Sequence, residues 1–240
     1  MSSRRNRFIA AAPGLPGLPS PVRDGIVLGA AVGVFGAGFG VLAVTTGLSI
    51  AQAMAMSLLV FTGGSQFAAV GVIDSGGTLA AALGSALLLA ARNGIYGLTV
   101  SRLLPGVWWR RAIAAHLTID ESTALATGQA DDRDRAKAFW AAGLSVFVFW
   151  NLGTLIGAVS GSGLGDPADL GLDAAFPAGF VALAMPAIRR RPGLLAAAIG
   201  GLIALVCIPL TPAGVPILAA AAAAPAVLAI VGLDEVERTT

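Results

Sequence analysis

Long apolar runs separated by short polar connections make up most of the chain, and this pattern predicts helices that lie in a membrane. A helix needs roughly 17–25 apolar residues to cross a bilayer, and about seven segments approach or exceed that length. These segments are 25–46, 48–73, 78–104, 138–160, 174–188, 193–210 and 216–233. A further segment, 112–130, carries more polar residues and is also expected to be embedded.

The low charge content strengthens this prediction. Only 12% of the residues are charged and 56% are hydrophobic, and the mean hydropathy is +0.84. Soluble domains contain about 25% charged residues, so the expected fold class is an all-α polytopic membrane protein. The basic residues lie mainly at the ends of the apolar segments, a pattern that sets membrane orientation and does not indicate nucleic-acid binding.

The chain is expected to consist of two parts. Residues 1–20 are expected to form a flexible cytoplasmic tail, because two prolines interrupt the apolar stretch that follows the N-terminal arginines and leave it too short for a signal peptide. Residues 21–240 are expected to form a single transmembrane domain. The single cysteine, Cys207, excludes an intrachain disulfide.

Basic loops mark the cytoplasmic side of a membrane protein. By this rule the N-terminal tail, the sequence DDRDRAK (131–137), expected to be a solvated loop, and residues 189–191 are cytoplasmic. The loop 161–173 contains no Lys or Arg and is expected outside. The number of crossings between residues 47 and 130 must then be odd.

Two arrangements satisfy this condition. In the first, 48–73, 78–104 and 112–130 all cross the membrane. In the second, only 78–104 crosses, and the other two segments enter the membrane and return on the same side. Charge favours the second arrangement, because it keeps the basic residues that follow 78–104 in the cytoplasm, whereas the length of 48–73 favours the first. Both remain open.

Glycines recur mostly at four-residue spacing in two of the segments. Small residues at this spacing allow helices to approach closely, so the glycines indicate packing within the chain or a docking face for a second subunit. They are Gly25, Gly29, Gly33, Gly36 and Gly40 in the first segment, and Gly153, Gly157 and Gly161 later in the chain.

The sequence VFTGGSQFAA (60–69) interrupts an apolar segment with four consecutive small or polar residues. Gly63 and Gly64 permit a turn, Ser65 could cap the helix that follows, and Gln66 offers both a donor and an acceptor. A broken helix in a membrane survives only where protein or water satisfies its backbone, and in transporters such breaks form substrate sites. We expect broken or re-entrant helices near 60–66 and, as a further candidate, near 116–125; a glycine-kinked packing helix is the alternative.

Ionisable residues within apolar segments also indicate function. Arg92 lies well inside 78–104, with Asn93 beside it and Tyr96 one turn later. A charge at this depth costs about 2.5–3.5 kcal/mol, so Arg92 should meet an acceptor, for which Asp120 and Glu121 are the candidates. The pair would either fix the fold or form a charged wall of a substrate or proton pathway.

His116 is the only histidine and lies one turn before the acidic pair. Its ring could be solvated at the membrane interface, or it could take part in a proton relay, since histidine gains and loses a proton near neutral pH. One histidine and two carboxylates make a poor metal site, so neither a metal nor another cofactor is expected.

Three motifs in order resemble the AzlC family, the large subunit of branched-chain amino acid exporters. They are GLSIAQAMAMSLLVFTGGSQFAAVGVI, then ARNGIYGL, then HLTIDESTALA, and the resemblance covers residues 20–160. It implies a bacterial cytoplasmic (inner) membrane protein that exports Leu, Ile and Val, with Met as a further candidate, by antiport on an ion gradient. It also implies a small membrane partner of the AzlD type.

The residues are chemically compatible with such a zwitterionic substrate. Arg92 and the helix start near Ser65 would bind the carboxylate, and Asp120 or Glu121 would bind the ammonium group. An acid that also releases a proton would couple export to proton entry. The apolar pocket would come from Leu58, Leu59, Phe61 and Phe67.

Three other functions remain as alternatives. The chain could transport a different small amino acid, or it could be a channel or a structural membrane subunit without a transport cycle. The sequence GGSQ also fits a short intramembrane serine protease motif, with Ser65 as nucleophile and His116 as base.

Overall fold

The computed structural model describes residues 19–163, 181, 185 and 188–231 of the 240-residue chain. This described part contains helices and no β-strand, so the predicted all-α class is confirmed. In chain order the helices are α1 (Ser20–Thr45), α2 (Ile50–Leu59), α3 (Gly64–Asp74), α4 (Leu79–Val100), α5 (Trp108–His116), α6 (Asp120–Thr127), α7 (Asp132–Gly161), α8 (Arg191–Cys207), α9 (Val215–Ala220) and α10 (Ala223–Val231).

Three of the described helices, α1, α4 and α7, are long and apolar enough to cross a bilayer; a 3₁₀ turn extends α4 to Leu103. The apolar pattern predicts each of them. Nearly all of the predicted tail 1–20 and of the predicted segment 174–188 lies outside the described residues.

The start of α7 differs from the prediction. The sequence predicts a solvated loop over 131–137, but only Asp131 lies outside the helix. Its carboxylate accepts a hydrogen bond from the backbone N–H of Asp134 at 2.9 Å. Aspartate satisfies a free N–H at a helix start, so α7 extends one and a half turns beyond its apolar part.

Helices α1 and α7 pack side by side and run in the same direction. Gly25 lies against Ala141, and Gly36 lies against Trp150 further along both helices. A Cβ atom on Gly25 would come within 2.8 Å of the backbone of Ala141, so only glycine permits this approach. The predicted glycine stripes therefore serve packing within the chain, and the alternative of a docking face for a second subunit is wrong for them.

Gly157 provides a test of this packing. The substitution Gly157→Ala would place a Cβ atom against the backbone of Ala37, and overpacking of this kind costs about 1–3 kcal/mol. We expect thermal unfolding in detergent, followed by size-exclusion fluorescence, to shift several degrees lower. Gly94→Ala is the control, because its Cβ would meet no atom of the described residues within 4 Å; equal effects of the two substitutions would contradict the packing.

Helices α2 and α3 form the first re-entrant hairpin, whose tip is residues 60–63. Thr46 precedes α2 and donates from Oγ1 to Oδ1 of Asp74, at the end of α3, over 3.2 Å. The two ends of the segment therefore lie at the same end of the bundle. The helices have 10 and 11 residues, so each reaches about 15 Å, half of a bilayer core.

Helices α5 and α6 form the second re-entrant hairpin, whose tip is residues 117–119. Arg110 lies over the ring of Trp140, at 5.6 Å, and His116 lies 5.7 Å from Phe147 between ring centroids. α5 therefore runs parallel to α7, and α6 returns antiparallel to the start of α7. Both hairpins correspond to the second of the two arrangements that the sequence left open.

A long helix followed by a re-entrant hairpin thus occurs twice, first as α1 with α2 and α3, and then as α4 with α5 and α6. Phe39 of α1 packs on Phe67 of α3, with ring centroids 5.6 Å apart, and α3 runs parallel to α1. Val72 of α3 packs with Ala82 of α4, and these two helices are antiparallel. α4 therefore runs opposite to α1. The first hairpin enters from the end where α1 finishes, and the second enters from the opposite end.

The described basic residues, apart from Arg92, lie at the end of the bundle where α1 and α7 begin. α4 ends there and α5 begins there. α8 begins there as well, because α9 runs parallel to α4 and α8 runs antiparallel to both α9 and α10. These residues are Arg23, Arg102, Arg110, Arg111, Arg133, Arg135, Lys137 and residues 189–191. We call this the basic end.

Candidate functional site

The tips of the two hairpins meet beside the middle of α7. The ring of Phe61, in the first tip, lies 5.9 Å from His116 and 5.0 Å from Phe147. His116 is the last residue of α5, directly before the second tip. Two breaks that are far apart in sequence therefore lie together, and the predicted broken helices near 60–66 and 116–125 are both present.

Arg92 of α4 lies where the two hairpins meet. Its Nη2 atom is 2.8 Å from Oδ2 of Asp120, and the two side chains are 42% and 39% exposed. A Cβ atom built on Gly64 would be 3.2 Å from the same Nη2. The predicted acceptor for Arg92 is therefore Asp120, and the guanidinium lies between the first residues of α3 and α6.

This position adds the positive ends of two helix dipoles to the charge of Arg92. A helix N-terminus carries a partial positive charge of roughly half a unit, and both α3 and α6 begin here. Asp120 compensates part of this charge at the start of α6. Glu121, next to it, and Tyr96, on α4, both interact electrostatically with Asp120 and Arg92, so the site contains one cation, two carboxyl groups and a phenol.

The first tip owes its shape to Gly63 and Gln66. Gly63 has φ +58°, a region that side-chain-bearing residues avoid, and its N–H donates to Oε1 of Gln66 at 3.2 Å. The predicted cap at Ser65 is wrong, because Gly63 holds the cap position and Ser65 lies inside α3. The Ser65 hydroxyl instead hydrogen-bonds to that of Thr62.

Ser122 shapes the second tip. Its hydroxyl donates to the carbonyl of Leu117 at 2.7 Å and accepts from the N–H of Ile119 at 3.1 Å. Sequence analysis did not single out Ser122. The available signal was a serine three residues after the cap position, Ile119, which has no polar side chain; from there the serine side chain can reach back to the cap residue.

Six buried polar atoms around the tips have no hydrogen-bond partner in the described part of the chain. Such groups are rare in proteins, because an unsatisfied buried donor or acceptor costs about 1–3 kcal/mol. They come from α3, α4, α6 and α7, and they offer both donors and acceptors to a ligand. The atoms are Gln66 Nε2, Arg92 Nε, Asp120 Oδ1, Thr123 Oγ1, Trp150 Nε1 and Asn151 Oδ1.

Three of these residues, Thr123, Trp150 and Asn151, were missed by sequence analysis. Asn151 is an amide in the middle of an apolar segment, so the reasoning that identified Arg92 would also have found it. Trp150 packs against Phe39 and against Phe67, and tryptophan in an apolar helix carries no signal of function.

The predicted apolar pocket is partly wrong. Phe61 and Phe67 are buried near the tips, as expected. Leu58 and Leu59 are 41% and 76% exposed and do not belong to this cluster. Proximity to the tip in sequence did not indicate which way the last turn of α2 faces.

The side chains of two predicted residues make no hydrogen bond within the described part of the chain. Asn93 is half-buried beside Arg92, and His116 is exposed, with its ring against Phe61 and Phe147. No hydrogen bond joins Ser65 to His116 among the described residues, so the geometry gives no support to a serine protease pair.

These features define a helical membrane protein with two opposed re-entrant hairpins and a polar site between them. The family model described as AzlC protein matches residues 27–164. The chain therefore belongs to the AzlC family.

Curated relatives are membrane proteins as well. An uncharacterized membrane protein of Archaeoglobus fulgidus is 33% identical over 189 residues, covering 78% of this chain and 83% of the relative. The inner membrane protein YgaZ of Escherichia coli is 30% identical over 174 residues, covering 68% and 71%. An uncharacterized membrane protein of Helicobacter pylori is 28% identical over 179 residues, covering 74% and 78%. No solved structure is significantly similar.

Proposed function

We propose that this protein is a secondary transporter that exports Leu, Ile and Val, with Met as a further substrate, in exchange for protons. Membership of the AzlC family supports transport. The observation that carries the proposal is the meeting of two opposed hairpin tips around the Arg92–Asp120 pair, with unsatisfied polar atoms beside it.

The site matches the chemistry of a zwitterionic amino acid. Arg92 and the N-terminus of α3 at Gly64 favour a carboxylate. Asp120 and Glu121 are acceptors for an ammonium group. The rings of Phe61 and Phe67 provide apolar surface for a branched side chain.

The opposed hairpins also support alternating access. Each hairpin enters from one end of the bundle, so a movement of either one would open the site to that side while the other keeps it closed. The Arg92–Asp120 ion pair bridges α4 and the second hairpin, and Arg92 also lies close to Gly64 at the start of α3 in the first hairpin. A substrate carboxylate that competes with Asp120 for Arg92 would weaken this bridge and release the second hairpin.

Proton coupling would use the two carboxyl groups. Asp120 is held by Arg92, whereas Glu121 forms no ion pair in the described part of the chain, so we assign Glu121 as the proton carrier. His116 lies at the exposed side of the second tip and would pass protons between the site and water. Asn93 and Tyr96 would complete the polar wall on α4.

A small AzlD-type subunit is proposed as the partner. α4 carries the site but leaves most of its apolar side chains exposed, including Leu83, Leu87 and Leu98. A charged pair that is about 40% exposed at this depth is costly against lipid. A partner on α4 would shield Arg92 from the hydrocarbon.

The membrane orientation is likewise a proposal. The basic end collects the described cationic side chains other than Arg92, and basic segments stay in the cytoplasm. The N-terminus would then be cytoplasmic. The relative YgaZ of Escherichia coli is an inner membrane protein, which supports a bacterial inner membrane as the location proposed for this chain.

Counterflow of radiolabelled leucine in proteoliposomes tests the function. With unlabelled leucine inside, labelled leucine should accumulate transiently, with competition by valine and isoleucine and none by lysine. The assay is run with and without a small membrane protein of the AzlD type. Competition only by other small amino acids would refute the substrate, and linear uptake without counterflow would indicate a channel.

A further inference from the structure

A cleft at the basic end, away from the proposed transport site, carries a second inference. It has a volume of about 540 Å³ and lies between the first turns of α1 and α5 and the first half of α7. Its lining is Val22, Arg110, Arg133, Ala136, Lys137, Trp140, Ala141 and Leu144. Three of the cations of the basic end thus line a cleft that is otherwise apolar.

The residues of α7 that line the cleft form one stripe. Arg133, Lys137, Trp140 and Leu144 follow the spacing i, i+4, i+7 and i+11, which places them on one helix face. From Arg133 to Leu144 this face extends about 16 Å. It is cationic at the outer end and apolar at the inner end.

The charges of the cleft are only partly compensated. Lys137 pairs with Asp134, with Nζ and Oδ1 2.7 Å apart, whereas Arg133 and Arg110 form no ion pair in the part of the chain that the structure describes. Arg110 lies over the ring of Trp140, which holds its guanidinium at the cleft. No carboxylate of the described residues lines the cleft, so an anion is the complementary ligand.

The depth of the cleft identifies the kind of anion. Exposed Trp108 and Trp109 begin α5 next to the cleft, and tryptophan settles at the level of lipid headgroups. A ligand here meets cations at headgroup level and apolar side chains further in. An anionic phospholipid has this distribution of charge and hydrocarbon.

We propose that the cleft binds an anionic phospholipid, with its phosphate between Arg110 and Arg133 and an acyl chain along Trp140 and Leu144. The lipid would join the starts of α1 and α7 to α5, the outer arm of the second hairpin. The proposal depends on the fold and the membrane location, and not on the transported substrate.

Quenching of Trp140 by brominated lipid tests the site in full-length protein. Trp108→Phe and Trp109→Phe remove the other exposed indoles, and Trp150 is buried. The vesicles contain phosphatidylethanolamine with an equal mole fraction of either brominated phosphatidylglycerol or brominated phosphatidylethanolamine. Brominated phosphatidylglycerol should quench more strongly, and added salt should reduce the difference by screening.

Two variants locate the lipid. Arg110→Gln together with Arg133→Gln should lower the apparent affinity for phosphatidylglycerol at least about fivefold. Arg102→Gln, at the same membrane face but outside the cleft, should leave it unchanged. Equal quenching by the two lipids in the parent protein would overturn the proposal without any variant. Equal effects of the two sets of substitutions would overturn it too, and so would displacement of the lipid by inorganic phosphate at constant ionic strength.

Discussion

Arg92→Gln is expected to lower leucine counterflow at least about tenfold, because charge-assisted hydrogen bonds are worth about 1.5–3 kcal/mol. Glutamine keeps hydrogen-bonding capacity and removes the charge that would hold the substrate carboxylate. It also leaves Asp120 without its partner at 2.8 Å. Counterflow in proteoliposomes, normalised to the amount of folded protein, measures the effect.

Two further variants separate a binding role from a structural one. Arg102→Gln removes a cation from the basic end, and it should transport normally. Arg92→Lys keeps the charge without the planar fork, so it should bind leucine more weakly than the parent and better than Arg92→Gln. Full transport by folded Arg92→Gln would remove Arg92 from the site.

Glu121→Gln is expected to abolish proton-driven accumulation while it preserves exchange. Glutamine can hydrogen-bond to the substrate but carries no proton across the membrane. Since a neutral hydrogen bond is worth about 0.5–1.5 kcal/mol, counterflow should fall at most about tenfold. Uphill transport driven by an imposed pH gradient should disappear.

Asp120→Asn is the matched comparison for Glu121. It breaks the ion pair with Arg92, so it should impair counterflow and uphill transport together. If Glu121→Gln still concentrates leucine against its gradient, Glu121 is not the proton carrier. If both variants lose only uphill transport, the proton is shared between the two carboxyl groups.

The broken helices could be predicted from sequence because their polar residues are costly in lipid. Gly63, Gly64 and Gln66 lie in an apolar run where an unbroken helix needs none of them, and Arg92 requires an acceptor at its depth. Both arguments compare a residue with the solvent it would meet, and that comparison needs no knowledge of the fold.

The path of a segment through the membrane and the direction in which its side chains point could not be predicted. Whether 48–73 crosses or returns depends on the turn at Gly63 and on the contact between Thr46 and Asp74, 28 residues apart in sequence. The direction in which the side chains of Leu58 and Leu59 point depends on how α2 packs against its neighbours. The contribution of Trp150 and Thr123 to the site depends on which helices surround them.

The glycine stripes show how the site is supported. Because Gly25 and Gly36 let α1 approach the backbone of α7, the two parallel helices form a close-packed pair. Phe39 of α1 and Trp150 of α7 then stack beside the first tip, with ring centroids 6.3 Å apart. A rigid pair of this kind would hold one wall of the site while the hairpins move.

Protection of a cysteine by leucine tests the central claim, that the hairpin tips enclose the substrate. Thr123→Cys, in a Cys207→Ala background, places the only thiol three residues after Asp120. It replaces a buried hydroxyl that has no hydrogen-bond partner among the described residues. Leucine should slow its reaction with a small methanethiosulfonate reagent, and it should not slow the reaction of Ser160→Cys at the far end of α7. Reaction at Thr123→Cys that leucine leaves unchanged, in protein that performs counterflow, would contradict the account.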